Sequence, residues 1–554
     1  MKIKTLINDS NFKIIFKYKN IAVYGKFIDI FIDNKVYEIK SLPILLQKYN
    51  IETIITNSVG SFFLIEKNKQ NTIIYNSFGN SSLFFQIKKN SILLDNSEKK
   101  FLDKKNQYNF KNYIFFIKSH RHIGLNPFKD ITFKNNRLPS GYSCTINSSN
   151  INYLSIIKKN NYLYLDNNEN YLKILTKILK IYKKRYKNLE LAISGGMDSV
   201  VLFLILAKNK TNFSTYFSMG YGEPIPDSIS NLMINYLCKK YKKKNILKKP
   251  ISKDFEYFKK ELKHHYSFHF MKNQINKNLF LTKKNFIVGQ NLDTLYYNDT
   301  FAPNTWIINL RKIFIILKTS HLRFISTNFF FNILSFLAKI RKKFNLRNNL
   351  ISQLSYISKS PNEHEPIFLN KKKFKRYNRM QFFFNPLLKT LNLKKKSTFT
   401  PMELSQFVKD IKWLRFVINT RLLYSNYETF SKVRILTPYS EGPMVNFFYN
   451  YKLSLKEVFF IKDLQNYVFK KYENNSFWTT QIILKLKYKF KNIFKKKNNH
   501  KQEVQKTPEK NLRYMDKLKF NNRNIKYLNK SLIKFCKNEN EVLRLKNLLM
   551  FLDK

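Results

Sequence analysis

The stretch SGGMDS at residues 194–199 combines residue types that suit phosphate chemistry. Its two adjacent glycines let backbone N–H groups approach phosphate oxygens without a Cβ in the way. The hydroxyls of Ser194 and Ser199 can donate hydrogen bonds. Asp198 would repel bare phosphate, so its presence implies a metal ion between carboxylate and phosphate. No Gly-Lys-Ser/Thr sequence closes the loop, which excludes a Walker A loop. The alternative is an ordinary tight strand-to-helix turn that uses glycine.

The segments around SGGMDS predict a strand before it and a helix after it. Leu189–Ile193 is a short apolar strand, and Val200–Ala207 is a nearly all-apolar helix. At such a junction the free N–H groups and the dipole of the helix converge on an anion. Further predicted elements are strands at Phe213–Ser218 and Phe286–Val288 and helices at Tyr171–Tyr182 and Ser228–Lys240. This alternation predicts a parallel sheet with helices on both faces.

Residues 1–160 are rich in short strand patterns instead. Ile21–Tyr37 is predicted to form two strands about an Asp33-Asn34 turn. Other predicted strands are Ser61–Glu66, Thr72–Tyr75, Leu83–Ile87, Ile92–Leu94 and Tyr113–Ile117. Such a series predicts a layered β sandwich. Residues from about 300 to 480 read as mostly helical, and a heavily basic tail follows beyond 485.

The composition bounds the classes of protein to consider. The 554 residues include 101 Lys and Arg against 36 Asp and Glu, a net charge of +65. Lys, Asn, Ile, Phe and Tyr dominate along the whole chain, and their codons are rich in A and T. Compositional drift therefore explains the charge better than a nucleic-acid footprint. Three cysteines cannot form a disulfide framework or a four-cysteine zinc site, so we expect a cytoplasmic protein. The longest apolar patch, Asn328–Ile340, is too short to span a bilayer, so no transmembrane segment is expected.

SGGMDS after a strand resembles the pyrophosphatase loop of the N-type ATP pyrophosphatase superfamily, whose members cleave ATP to AMP and pyrophosphate and adenylate a carboxyl or carbonyl group. Its position after a β-rich region resembles the asparagine synthetase-like branch. Other segments resemble that family's motifs in the family's order: Asn57–Glu66 (L-x-G-x-F), Gly79–Phe85 (G-x-x-P-L-Y-Y), Asn126–Gly141 (ending in L-P-P-G), residues 218–220 (S-I-G-F), Gly289–Leu295 (G-E-G-A-D-E-L) and Thr437–Glu441 (P-F-L-D).

The resemblance implies an α+β region followed by an α/β region. Residues 1–160 would form a degenerate glutaminase-like sandwich, and residues 165–480 an ATP-binding synthetase domain with a parallel sheet and a helical C-terminal part. Residues 485–554 would be a basic tail, partly helical or disordered. The implied cofactors are ATP and Mg²⁺.

The resemblance also implies roles for individual residues. Those expected at the nucleotide are Ser194, Gly195, Gly196, Asp198, Ser199, Met219 and Gly289. Asp198 and Asp293 resemble the pair that holds Mg²⁺. Lys462 lies where the family keeps a pyrophosphate-binding lysine, which would neutralise charge on the leaving group. The alternatives are a loop-capping role for Asp293 and a solvated Lys462.

Three positions depart from the family pattern. Residue 2 is Lys2 where glutamine-dependent relatives expose a nucleophilic cysteine, so the N-terminal region is expected to have no glutaminase activity of its own. Gln290 and Lys432 stand where the family has glutamates, and neither can accept a proton from an attacking amine. Candidates to replace that base are Tyr296, Tyr297, Glu428 and Glu441.

The resulting expectation is an ATP-dependent ligase that forms amide bonds, similar to the branch without the N-terminal cysteine, such as β-lactam synthetases and lasso-peptide cyclases. Its substrates would be a small-molecule or peptide carboxylate and an amine donor, with a partner protein or precursor peptide as a further candidate. Nucleic acid is not the expected partner. Two alternatives stay open: a non-catalytic ATP-binding scaffold, and a tRNA-modifying ATP pyrophosphatase that uses the basic surface.

Overall fold

The structure is a computed structural model that describes part of the chain. This part contains three sheets in an N-terminal region and one parallel sheet in a second region. The described residues are 2–5, 13–25, 27–88, 91–97, 101, 127–129, 135–147, 150–157, 167–217, 228–246, 285–289, 410, 413–414, 417, 428, 434–451, 463–493, 533, 545 and 549.

The N-terminal region is built mainly of short strands, as its sequence pattern predicts. The described strands are β1 (Lys2–Thr5), β2 (Lys13–Tyr18), β3 (Ile21–Gly25), β4 (Asp29–Ile32), β5 (Lys35–Glu38), β6 (Ser58–Val59), β7 (Phe62–Lys67), β8 (Thr72–Asn76), β9 (Leu83–Lys88), β10 (Ser91–Asp95), β11 (Asn136–Leu138), β12 (Tyr142–Ile146) and β13 (Ile151–Ser155). Two short helices, α1 (Leu42–Lys48) and α2 (Ile51–Thr56), lie between β5 and β6.

These strands form three sheets. One has the order β13-β12-β8-β7-β3-β2, a second β1-β10-β9-β11 and a third β5-β4-β6. Neighbouring strands run antiparallel, except that β1 and β10 are parallel. The two faces of an antiparallel sheet often differ in burial, and in β3 buried residues alternate with half-buried ones.

The segment Ile21–Tyr37 corrects one prediction. The turn lies at Asp33 and Asn34, whose φ angles of 49° and 62° fit a two-residue hairpin turn. However, the segment forms three strands rather than two. β3 pairs with β7, whereas β4 pairs with β5 and β6 in another sheet. Because β3 and β4 are both short and mainly apolar, the sequence does not reveal that the chain passes from one sheet to another between them.

The second region contains the predicted alternation of strands and helices. Its elements are α3 (Asn167–Arg185), β14 (Leu189–Ile193), α4 (Met197–Lys208), β15 (Phe213–Phe217), α5 (Ile229–Lys240), β16 (Asn245–Ile246), β17 (Asn285–Val288), β18 (Ile435–Leu436), α6 (Gly442–Asn450), α7 (Asp463–Glu473) and α8 (Phe477–Ile493). A 3₁₀ turn, Pro438–Ser440, precedes α6.

The strands of this region form one parallel sheet with the order β16-β15-β14-β17-β18. In chain order this is 3-2-1-4-5, the arrangement of doubly wound sheets, and the order reverses between β14 and β17. The parallel sheet predicted from the sequence is therefore confirmed. In open sheets of this kind, ligands bind at the carboxyl ends of the strands beside the point of reversal.

Helix α4 forms the centre of this region. Its residues from Val200 to Leu206 are all completely buried, because the helix is apolar on every face. Helices α3 and α7 pack against α4, and α8 packs against α5. In the C-terminal tail, Leu545 and Leu549 are helical and buried.

Two predictions concern residues outside the described part of the chain: the strand at Tyr113–Ile117 and most of the helical region between 300 and 480. Within the described part, no helix is long and apolar enough to cross a membrane.

Candidate functional site

The SGGMDS loop lies at the carboxyl end of β14, beside the reversal point of the sheet. Strand β14 ends at Ile193 and α4 begins at Met197, so the loop proper is residues 194–196. Gly195 has φ +72°, and a Cβ there would lie 2.5 Å from the backbone oxygen of Ser230. Both the left-handed backbone and the close approach of α5 therefore require glycine at this position.

Gly196 has a different environment from Gly195. It is exposed and stands at the N-cap of α4, with no side chain capping the helix. Among the described residues, a Cβ on Gly196 would meet only the hydroxyl oxygen of Ser194, at 3.3 Å. Space is therefore open above the first turn of α4, where backbone N–H groups have no partner within the helix. This is the arrangement in which a helix N-terminus binds an anion.

The two serines of the loop hold its shape. The Ser199 hydroxyl donates to the Gly196 oxygen at 3.0 Å and accepts from the Ser194 N–H at 3.2 Å. The Gly196 N–H lies 3.3 Å from the Ser194 hydroxyl, which it uses as an acceptor. Ser199 is buried, whereas Ser194 is exposed.

Gly289 lies next to the SGGMDS loop. It follows β17, the strand next to β14 across the reversal point. A Cβ on Gly289 would lie 3.0 Å from the Ser199 nitrogen and 3.2 Å from the Asp198 carbonyl carbon. The backbone of Gly289 thus packs directly on the first turn of α4. The structure brings together the predicted residues Ser194, Gly195, Gly196, Asp198, Ser199 and Gly289.

Asp198 is half-buried in the first turn of α4 and is contacted from two C-terminal segments. Its backbone oxygen accepts a hydrogen bond of 3.0 Å from the Tyr439 hydroxyl. Its carboxylate Oδ1 lies 3.5 Å from Nε2 of Gln465, a weak hydrogen bond from a residue of α7. Gln465 is 1% exposed, and its Oε1 has no hydrogen-bond partner among the described residues.

Tyr439 and Tyr171 lie side by side beneath Asp198. Their hydroxyl oxygens are 3.5 Å apart, and both side chains are completely buried. Burial raises the pKa of Tyr171, and the nearby Asp198 raises it further, although the hydrogen bond with Tyr439 lowers it. Tyr171 therefore stays protonated and neutral. The sequence pattern indicates no role at this site for Tyr171 or Gln465. Tyr439 lies in the segment Thr437–Glu441, which resembles a family motif, but the resemblance gives it no role.

Three of the family-like segments meet at a second place, around Glu441. Its Oε2 accepts a hydrogen bond of 2.9 Å from the Gly60 N–H, and its Oε1 accepts one of 2.5 Å from the Tyr182 hydroxyl. A Cβ on Gly79 would lie 2.5 Å from the Gly60 oxygen and 2.9 Å from Glu441 Oε2. Residues from the segments at 57–66, 79–85 and 437–441 are thus in contact with one another.

The contacts of Glu441 and Glu428 bear on their candidacy as the acceptor base. Glu441 is 5% exposed, and both carboxylate oxygens already accept hydrogen bonds from protein groups. Glu428 accepts a hydrogen bond of 3.0 Å from the Ile435 N–H. The Glu441 carboxylate therefore has a structural role, whereas in the described structure Glu428 holds the backbone at the start of β18 through Oε1 alone.

The remaining predicted positions are not among the described residues. These are Met219, Asp293 and Lys462 of the expected site, the departures Gln290 and Lys432, and the alternative bases Tyr296 and Tyr297. The described residues contain no group of three or more His, Cys, Asp or Glu side chains that could hold a metal ion. Asp198 alone of the predicted metal pair is placed.

Comparison with known proteins gives no match: neither the models of protein families nor the curated proteins include one that matches this chain. The assignment of a function therefore depends on the site geometry and on the motifs in the sequence.

Proposed function

We propose that the protein is an ATP-dependent ligase that forms an amide bond, adenylating a carboxylate with release of pyrophosphate before an amine displaces AMP. The observation that most supports it is the position of SGGMDS, between β14 and α4 at the reversal point of a parallel sheet. Phosphates bind at helix N-termini, and doubly wound sheets bind nucleotides at this point.

Asp198 favours a metal-bound nucleotide over a free anion as the ligand of this site. Asp198 is in the first turn of α4, where a phosphate would otherwise meet a carboxylate of like charge. Mg²⁺ accepts one or two carboxylates together with phosphate oxygens, so a magnesium–ATP complex suits this site. Asp198 would be one ligand and Asp293 the second, and Lys462 would neutralise the leaving pyrophosphate.

The asparagine synthetase-like branch is favoured because separate family-like segments contact one another. Gly60, Gly79 and Glu441 are far apart in the sequence, yet they meet within hydrogen-bond distance or close packing. A chance likeness of short motifs gives no reason for such contacts. The same proposal makes the N-terminal sheets a glutaminase-like sandwich that precedes the synthetase domain.

Loss of the glutaminase reaction is part of the proposal. Cys144, the first cysteine in the chain, is completely buried in β12, and burial raises the pKa of its thiol. A thiol of that kind is not a nucleophile. Lys2 lies in β1, where relatives with glutaminase activity expose their cysteine. The amine would therefore come from free ammonia, a second substrate, or the acid substrate itself.

Assays of ATP–pyrophosphate exchange and of AMP formation test this function. The assay uses Mg²⁺ and a panel of carboxyl compounds that includes aspartate, amino acids with a second amine, and peptides. Exchange with at least one acid is expected. Asp198→Ala should reduce the exchange rate by about 100-fold or more, because the variant lacks the carboxylate proposed to bind Mg²⁺. Glu169→Gln is the matched control, since Glu169 is an acidic residue at an exposed contact with Tyr467 and Lys471.

The outcomes separate the alternatives. Support by aspartate would indicate an ammonia-dependent asparagine synthetase, and support by a peptide or another acid would indicate a specialised ligase or cyclase. ATP binding without exchange for any acid would contradict the ligase proposal and favour the scaffold. Exchange or AMP formation that depends on added tRNA would favour the tRNA-modifying alternative.

A further inference from the structure

We propose that Glu441 and Tyr439 are positioning residues through which the N-terminal β-rich region holds the first turn of α4, and with it Asp198, in place for the nucleotide. The part that concerns nucleotide binding rests on the function proposed above. The inference assigns the N-terminal region a part in nucleotide binding that does not depend on a glutaminase reaction.

The first contact joins the N-terminal region to Glu441. Gly60, between β6 and β7, donates its N–H to Glu441 Oε2 at 2.9 Å. The Ser77 hydroxyl donates to the Gly60 oxygen at 3.2 Å, and Gly79 packs against both Gly60 and Glu441. All four residues are buried. A buried carboxylate that lost its donors would be strongly unfavourable, so Glu441 is firmly fixed to this part of the N-terminal region.

The second link is the short backbone segment that joins Tyr439 to Glu441. Tyr439 lies in the 3₁₀ turn Pro438–Ser440, and Glu441 is the residue that follows this turn directly. The Ser440 N–H donates to the Thr437 oxygen at 2.8 Å, and the Glu441 N–H donates to the Pro438 oxygen at 3.3 Å. Proline fixes its own φ angle, and the whole turn is buried. A shift of Glu441 therefore cannot be absorbed locally and must also move Tyr439.

The third contact reaches the candidate site. The Tyr439 hydroxyl donates to the backbone oxygen of Asp198 at 3.0 Å. Asp198 is the second residue of α4, so this bond fixes the turn whose N–H groups would bind phosphate. The N-terminus of α6 supports the same segment, because Gly442 packs closely on the backbone oxygens of Ile55, Thr56 and Ser58.

A second contact between the same two regions provides the control. Arg185 of α3 binds Asp29 of β4 with hydrogen bonds of 2.8 and 2.7 Å, and the Asp29 side chain is 2% exposed. This pair also joins the N-terminal region to the second region through a buried carboxylate. It does not touch the turn at 437–441 or the loop at 194–199 in the described structure. It approaches the proposed network through Phe27, whose ring lies under Arg185 and which packs on Gly60. Its loss should therefore lower stability but affect the nucleotide much less than loss of Glu441.

The test compares Glu441→Gln and Tyr439→Phe with Arg185→Gln, using Arg185→Lys if the glutamine variant does not fold. Three quantities are measured on the full chain: the melting temperature, the Kd for magnesium–ATP by calorimetry, and hydrogen exchange of peptides that cover residues 194–203. The first two variants should weaken magnesium–ATP binding by about threefold to tenfold and speed exchange in 194–203. The Arg185 variants should lower the melting temperature at least as much but change both other readouts much less.

The double variant Glu441→Gln/Tyr439→Phe sharpens the test. Because both residues act on Asp198 through one turn, the combined weakening should be smaller than the product of the two single effects. The inference is overturned if Glu441→Gln and Tyr439→Phe match Arg185→Gln in every readout, because Glu441 would then only stabilise the fold. If the wild type does not bind magnesium–ATP but exchange in 194–203 still responds to Glu441→Gln, the proposed function fails while the structural connection holds.

Discussion

The N-terminal region and the loop of the parallel sheet differ in how they use glycine. Gly195 of the loop packs against backbone as Gly60 and Gly79 do, but its neighbour Gly196 does not. In the N-terminal region, Gly60 and Gly79 are buried where two backbones meet, and a Cβ on either would lie 2.5 Å from a backbone oxygen. In the parallel-sheet region, Gly196 is exposed, and in the described part of the chain a Cβ there would meet only one hydroxyl, at 3.3 Å. The chain has only 11 glycines in 554 residues, so both uses stand out from a composition poor in glycine. The first use closes a packed contact, and the second leaves space for a ligand.

The largest effect is expected for Gly79→Ala, which tests whether the packed contact requires glycine. The added methyl group would overlap the Gly60 oxygen and crowd Glu441, neither of which can move without disturbing the contact between the regions. We expect a loss of about 2–3 kcal/mol in the free energy of unfolding, measured by chemical denaturation. A loss below about 0.5 kcal/mol would show that this contact is loosely packed and would weaken the contrast.

A second prediction asks whether buried polar contacts away from the loop affect stability alone. Glu473 of α7 is buried and accepts hydrogen bonds from Tyr236, Lys240 and Tyr241 at 2.6–2.8 Å. Burial and the contact with Glu473 raise the pKa of both tyrosines, so they remain donors. Glu473→Gln should cost about 1–3 kcal/mol of stability by denaturation, because the neutral amide cannot accept all three bonds. A change in magnesium–ATP affinity in this variant would contradict the separation of the two roles.

Gly196→Ala tests the open side of the comparison. Its φ and ψ of −73° and 153° suit alanine, but glycine is the better N-cap residue, so the free energy of unfolding should fall by only about 0.5–1 kcal/mol. The methyl group would project toward the space that a phosphate would occupy, so magnesium–ATP affinity should fall about tenfold, or about 1.4 kcal/mol. Calorimetric titration and denaturation of the same preparation measure both values. Unchanged affinity would place the phosphate elsewhere.

The smallest effect is expected at the surface. Lys471 and the hydroxyl of Tyr467 hydrogen-bond to Glu169 and lower the pKa of its carboxyl group. Because the pKa is lower in the folded state, the contact stabilises the protein above the carboxyl's unfolded pKa. This contribution is lost as the pH falls through the lowered value. Glu169→Gln should cost about 0.5 kcal/mol or less at neutral pH, given the exposure of the pair. The difference from wild type should vanish in acid; a difference that grows there would have the wrong sign.

The predictability of the structure differs between its parts for physical reasons. The strand at Leu189–Ile193 was predicted with its bounds, and Ser228 caps its helix as an N-cap serine should, because these features depend on neighbouring residues only. The passage of the chain from β3 to β4 between two sheets was not predictable, since strand alternation does not encode which sheet a strand joins. Tyr439 and Gln465 were missed as neighbours of Asp198 for a similar reason. Each is about 240 or more residues away from Asp198 in the chain. Tyr439 lies in a segment that resembles a family motif, but nothing in the local sequence of either residue indicates a contact with Asp198.

The most direct test of the central claim is the magnesium dependence of ATP binding in wild type and Asp198→Asn. If the loop at 194–199 binds ATP through a metal ion at Asp198, wild-type affinity should fall about tenfold or more when Mg²⁺ is chelated, and Asp198→Asn should bind equally weakly with and without Mg²⁺. The account would be contradicted by wild-type binding that is indifferent to Mg²⁺, or by an Asp198→Asn protein that keeps the full magnesium dependence.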